Sequence, residues 1–263
     1  MKLFTTNTTT KVVNSIGSLF GAKLDRRGID IETEIMNAVT IDYNKLSPKE
    51  IKKAVRAAFC TDHTAKMHGV WSISTSCLLN LRCLARMRNG ASICAHCFSA
   101  SMNGQYDALR VKLMRNTVLL NTVELTPDMI PHIGCKSKMF RFESFGDLVS
   151  PLQVKNYFMI AACNPHVKAA LWTKNPDVIA KAIEKYGLVK PANLNIILST
   201  LELDADPAPV EYDFIDKVFT VYSTEEVAAS KGVTINCGAR SCATCQRCYT
   251  KTEGVEQVAE LLK

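Results

Sequence analysis

The sequence predicts an α/β fold: a partial or closed parallel (β/α) barrel with cysteine-rich loops at the carboxyl ends of its strands and a helical N-terminal lead-in. Three observations predict it. From Lys138 onward, short apolar runs alternate with capped helical segments. The gaps between the runs are long enough for the crossover helices that parallel pairing needs. Cysteines collect directly after the first and last predicted strands, where such folds gather their chemistry. An open doubly wound sheet is the competing arrangement.

The elements follow in chain order. Residues 1–69 read as a helical or mixed lead-in packed on a barrel-like domain over 70–263. Within the lead-in, Ser47, Pro48 and Glu50 form a capping box that opens a helix through Ile51, Val55 and Phe59. Val70 to Thr75 is a short strand, followed by a cysteine-rich loop and a long helix from about Gln105 to Glu124. Thr126 and Pro127 restart a shorter helix. Lys138 to Glu143 is strand-like, and Ser150 with Pro151 caps a helix whose apolar face carries Val154, Tyr157, Phe158 and Ala161. Val167 to Thr173 is the next strand, and Asn175 with Pro176 opens a helix that Gly187 can end. Leu194 to Ser199, Lys217 to Tyr222 and Val233 to Asn236 supply three more strands, with Ser223 and Glu226 capping a short helix before the last.

Composition narrows the function. The chain has 263 residues, is 47% hydrophobic and carries only 12 glycines and 9 prolines, so it can bury a substantial core. Met1 to Val13 holds no apolar stretch that would act as a signal peptide, and no window reaches the roughly 18 apolar residues of a membrane span. A cytoplasmic protein with no membrane association is expected, in which 11 cysteines serve as metal ligands rather than disulfide partners. The net charge of +7 is uneven. Arg82, Arg86, Arg88, Arg110, Lys112 and Arg115 face a single acid, Asp107, between Trp71 and Val118. Such a stretch suits an anionic substrate or nucleic acid, although it lacks the interleaved aromatics of a single-strand groove. A solvated helix face is the plain alternative.

Eight cysteines form two groups. Cys237, Cys242, Cys245 and Cys248 are spaced C-x4-C-x2-C-x2-C, like a ferredoxin loop that offers one thiolate to each corner of an iron-sulfur cubane. Zinc more often uses two separated chelating pairs, because one ion gathers all its sulfurs within about 2.3 Å. Cys77, Cys83, Cys94 and Cys97 are spaced C-x5-C-x10-C-x2-C, which suits zinc nearly as well. Two iron-sulfur clusters, of the [4Fe-4S] type, are the expected cofactors, with zinc as the alternative. The compact C-terminal loop should be the more closed centre. The long gap between Cys83 and Cys94 should leave a flexible basic flap beside the more reactive one. His96 lies between two of the cysteines, and Cys60, Cys135 and Cys163 stand apart.

Several short motifs carry a resemblance. Ser74-Thr-Ser-Cys77, Ile93-Cys94-Ala-His-Cys97-Phe98, Arg115-Asn116, Arg141-Phe-Glu-Ser-Phe-Gly-Asp147 and Trp172-Thr-Lys-Asn175 resemble the phage gene product eighty-eight family, found in phages and related mobile elements. The likeness spans roughly Ser74 to Leu201, with a similar cysteine-rich tail. Glu143 and Phe145 stand where that family usually has histidine and serine, so no role for those two residue types carries over. The resemblance implies the metal loops and strand order, and no particular reaction. A looser likeness to radical S-adenosylmethionine barrels lies in the cysteine loop after the first strand. The C-x3-C-x2-C motif of those enzymes is absent, so S-adenosylmethionine has no motif to support it.

Residues at predicted strand ends complete the candidate list. Glu143, Asp147 and Lys174 are candidate catalytic groups, and Arg86, Arg88, Arg141 and Trp172 candidate substrate contacts. A salt-bridged rim is the plain reading of the same residues. Two functions remain open: a redox or radical-type iron-sulfur enzyme served by an electron donor, or a metal-stabilised nucleic-acid-binding or protein-binding module without catalysis. Neither substrate nor oligomeric state is written in the sequence.

Overall fold

The computed structural model describes residues 4–25, 27–90, 92–238 and 241–262. Among the described residues six strands run parallel in one sheet, in the order in which they occur along the chain: β1 (Trp71–Ile73), β2 (Met139–Phe142), β3 (Lys168–Thr173), β4 (Leu194–Ser199), β5 (Lys217–Tyr222) and β6 (Glu256–Leu261). Strictly sequential order without a reversal rules out the doubly wound alternative, which needs a switch point. The helices are α1 (Thr6–Asp25), α2 (Ile31–Val39), α3 (Pro48–Ala58), α4 (Leu81–Met87), α5 (Phe98–Gln105), α6 (Asp107–Thr122), α7 (Pro151–Ala162), α8 (Pro176–Tyr186), α9 (Glu225–Ser230) and α10 (Cys242–Cys245). Among the described residues no helix is long and apolar enough to cross a membrane.

Local chemistry sets these elements. Ser47 and Glu50 complete the reciprocal capping box at the start of α3, and Ser150 caps α7 by accepting from the Gln153 amide. Gly187 ends α8 in the left-handed conformation at φ 59°. Alternation along the strands then separates two faces. Phe140, Phe142, Ala169, Leu171, Leu194 and Ile196 join the main core beneath the helices, together with Val12, Ile16, Ile35, Ile51 and Val55 of the lead-in. Met139, Ala170 and Ile197 turn the other way and pack with Val70 and Tyr249 in a second, smaller core.

Among the described residues the closed form of the expected barrel does not occur, and the last strand lies elsewhere than expected. The sheet is not closed into a barrel, since β1 and β6 do not pair. Their outer edges are taken by non-strand backbone: Cys60 bridges Ser72 on one side, while the amides of Asn236 and Cys237 donate to the Ala259 carbonyl on the other. The gap is spanned by a side chain, because Lys66 Nζ reaches Glu260 Oε1 on β6 at 2.7 Å. The last strand is also not Val233 to Asn236, which runs as irregular chain beside β6. Glu256–Leu261 takes that place through six registered partners on β5, although Glu, Gln, Ala and Leu are weak strand formers.

Candidate metal centres

The carboxyl ends of β1 and β2 interlock before any cysteine is placed. Glu143 follows β2 with φ 58°, and its carboxylate accepts from the Thr75 amide (3.1 Å), Thr75 Oγ1 (2.9 Å), Gln153 Nε2 (2.6 Å) and Tyr157 Oη (2.5 Å). Ser74 Oγ accepts from the amides of Ser144 and Phe145. Gly146 has φ 74°, and a Cβ there would sit 2.4 Å from the Thr75 carbonyl oxygen. Asp147 is buried, accepting from Thr173 Oγ1 (2.6 Å), the Leu148 amide (2.7 Å) and the Lys174 amide (3.0 Å). The runs Ser74–Cys77, Arg141–Asp147 and Trp172–Asn175 are thus one bonded unit at the carboxyl ends of three neighbouring strands.

The first cysteine group sits on that unit. Cys77 is buried directly after β1, and Asn80 starts α4 by accepting from the amides of Arg82 and Cys83 while donating to the carbonyls of Asp147 and Leu148. Cys97 occupies the N-cap position of α5, and the neighbouring Cys77 thiol together with the amides of Ala100 and Ser99 brings its own thiol down to about 6. Cys83 is pushed well up by burial and by the carboxylate of Asp147, and it also feels Cys97 and Cys94. All four thiols therefore lie within electrostatic reach of at least one other member of the group.

Two arginines named from the sequence diverge here. Arg86 turns inward, donating to the Lys174 carbonyl at 3.1 Å with its Nη1 3.6 Å from Asp147. Arg88 turns out to the Ser15 carbonyl on α1 at 3.5 Å. The expected flexible flap is instead helix α4, tied down beyond its end where the Ile93 amide donates to the Leu201 carbonyl. Lys174 donates to Ser199 Oγ at 2.6 Å, and its charge also favours the Cys97 thiolate. His96 is exposed, as is Cys163.

The C-terminal group occupies a different place. Because β6 follows these cysteines in the chain, their loop crosses the face of the sheet opposite the helices instead of gathering at the carboxyl ends. Asn195, near the start of β4, holds the loop by donating to the carbonyls of Cys248 and Thr250, and Lys217 at the start of β5 pairs with Glu256, which also binds Arg247. All four thiols line one cavity of about 840 Å³, together with Lys66, Trp172 and Tyr249. Burial pushes the Cys248 thiol up to about 12, and Cys237, Cys242 and Cys245 all act on it. Arg141 lies over Trp172, its guanidinium carbon 3.8 Å from the ring centre, and its charge favours the thiolates of Cys242 and Cys248. Arg141 and Trp172 therefore belong to the second group, while Asp147, Lys174 and Arg86 belong to the first.

The expected enclosure is reversed, since Cys245 is exposed and Cys77 buried. Compact spacing closes the loop on itself but leaves one side facing a cavity. Lys66 is a contact of this cysteine group that sequence reasoning missed. Its Nζ donates to Cys237 Sγ at 3.1 Å, and although burial opposes it, the bonds to Glu260 and Cys237 hold the ammonium above its ordinary range. The two residues are 171 positions apart, and no motif links them. Among the described residues, no three Cys, His, Asp or Glu side chains are grouped closely enough to hold a metal ion in common.

Burial raises the Glu143 carboxyl to about 8, so the folded protein holds a proton there that the unfolded chain releases near its ordinary range. The resulting stabilisation is complete below about pH 4.5 and is lost as the pH rises through about 8. Denaturant unfolding at pH 6 and pH 9 should show the wild type losing a few kcal/mol more than Glu143→Gln. An equal loss in both proteins would show that Glu143 is already ionised at pH 6.

A family model described as Gene product 88 matches residues 39–260, and the chain belongs to that family. No curated protein and no solved structure matches it.

Proposed function

We propose that the protein is a two-centre iron-sulfur protein, of redox or radical type, serving a phage or mobile element. The observation that carries this reading is the cavity of about 840 Å³ lined by all four thiols of Cys237, Cys242, Cys245 and Cys248. A zinc ion gathers four sulfurs within about 2.3 Å and needs no such space, whereas a cubane takes one thiolate at each corner. The donor set fits: among the described residues the lining brings four cysteines and one carboxylate, Glu256, which is paired with Lys217 and Arg247. Clusters of the [4Fe-4S] type would supply one-electron transfer when bound. The chain's own residues would hold each centre, with Lys66 and Arg141 offsetting charge at the second and Arg86 and Lys174 at the first.

The destination of the basic stretch favours this reading over a nucleic-acid module. Arg82 pairs with Asp177 through two bonds of 3.0 Å, and Arg110 is buried against Glu34 and Asp107. Lys112 donates to the Phe59 carbonyl, and Arg86 and Arg88 are bonded internally as described. Five of the six cations thus have partners within the fold. Iron and acid-labile sulfide in anaerobically purified protein test the proposal. Wild type should hold two clusters, and Cys83→Ala and Cys248→Ala one each. Stoichiometric zinc without sulfide would overturn it.

A further inference from the structure

Two hydrogen-bond donors at or beside the inner-face cavity find no acceptor among the described residues. Tyr249 is 4% exposed, lines the cavity, and its hydroxyl has no hydrogen-bond partner among the described residues. The Nε of Arg141 is likewise buried without an acceptor, although its guanidinium rests on Trp172, which lines the same cavity. Orphaned buried donors are costly, and a folded protein retains them where an acceptor completes the set. Cys242, Cys248 and Trp172 all pack against the small core that contains Tyr249. Trp172 holds both groups in place, meeting Tyr249 edge-on at 6.1 Å while its ring lies under the Arg141 guanidinium. Asn195 fixes the backbone on either side of Tyr249 through the carbonyls of Cys248 and Thr250.

We infer that Tyr249 and Arg141 donate hydrogen bonds to the sulfurs of the centre held by Cys237, Cys242, Cys245 and Cys248, and that these bonds raise its reduction potential. The inference rests on the proposed iron-sulfur function and deepens it. Reduction adds one electron to the cluster from an external donor and makes its sulfurs more negative. An O–H or N–H pointed at those sulfurs then binds the reduced form more strongly than the oxidised one. Lys66, already donating to Cys237 Sγ, acts in the same sense. No comparable bond reaches the first group from this cavity, so the two centres should respond independently. Tyr249 and Arg141 are positioning residues: they shape the electron affinity of the centre without ligating it.

The test is an anaerobic redox titration of the full chain with dithionite, followed by electron paramagnetic resonance. The C-terminal signal is identified as the one missing from Cys248→Ala. Tyr249→Phe keeps the ring and removes only the hydroxyl. At the wild-type midpoint of the C-terminal centre it should lower the ratio of reduced to oxidised cluster about tenfold, leaving the first centre unchanged. Arg141→Gln should shift the same signal in the same direction, and Arg141→Lys, which keeps the charge, should recover part of the shift. Cluster content equal to wild type separates this effect from loss of the centre. A C-terminal midpoint that does not move in Tyr249→Phe or Arg141→Gln, or two midpoints that move together, would overturn the inference alone. Wild-type protein without acid-labile sulfide would overturn the proposed function, and the inference with it.

Discussion

Replacing Gly146 by alanine should destabilise the protein by about 3 kcal/mol or more, lowering its melting temperature by roughly 10 °C. Two independent costs add at this position. Its φ of 74° is a conformation that L side chains rarely adopt, at about 1 kcal/mol or more. The added Cβ would also lie 2.4 Å from the Thr75 carbonyl oxygen and 2.9 Å from Thr75 Oγ1. The first of these is backbone and cannot rotate away. Relief would require the β2 loop to lift from the β1 loop, and that seam is where Thr75 bonds Glu143 and Asp147 and where Ser99 Oγ accepts from the Gly146 amide. Thermal unfolding of Gly146→Ala beside Gly90→Ala, whose added Cβ meets nothing within 4 Å, isolates the effect. Equal melting temperatures would show that the seam is not closely packed.

The second large effect concerns the C-terminal loop. Cys248→Ala should lower stability by about 3 kcal/mol or more, because a metal centre bound only by the folded state contributes its binding energy to folding. The loop has little else to order it: α10 spans four residues, and Cys245 is exposed. Its anchors are Tyr249 in the small inner core and the bonds from Asn195, Lys217 and Lys251. Cys163→Ala provides the control, since that thiol is exposed on the helix side and belongs to neither group. The measurement is anaerobic denaturant unfolding of wild type, Cys248→Ala and Cys163→Ala. A Cys248→Ala midpoint equal to that of Cys163→Ala would mean that the loop holds no structural centre.

The sequence announced the parallel βα order because its signals are local. The capping box at Ser47, the proline-led helices after Ser150 and Asn175 and the αL glycine at position 187 each act within a few residues. It misassigned the last strand because Glu256–Leu261 becomes a strand by pairing with β5, against its own propensity. That single slip moved the second cysteine group from the inner face of the sheet to the carboxyl ends. The two cysteine groups were visible as spacing, and so were the motif residues around Asp147. Their division between two sites was not, because alternation alone would put Arg141 and Glu143 on one face, and it is the left-handed backbone at Glu143 (φ 58°) that goes with its bonds to Thr75 and Tyr157. Lys66 was invisible for the same reason: its link to Cys237 and Glu260 exists only once the sheet has curled enough to bring its two edges together.

The central claim, that the eight cysteines hold two iron-sulfur centres, is tested most directly by electron paramagnetic resonance of anaerobic wild-type protein before and after reduction with dithionite. Two reduced-cluster signals should appear, one absent from Cys83→Ala and the other from Cys248→Ala. A spectrum that stays silent on reduction, in protein carrying zinc and no sulfide, would contradict the account.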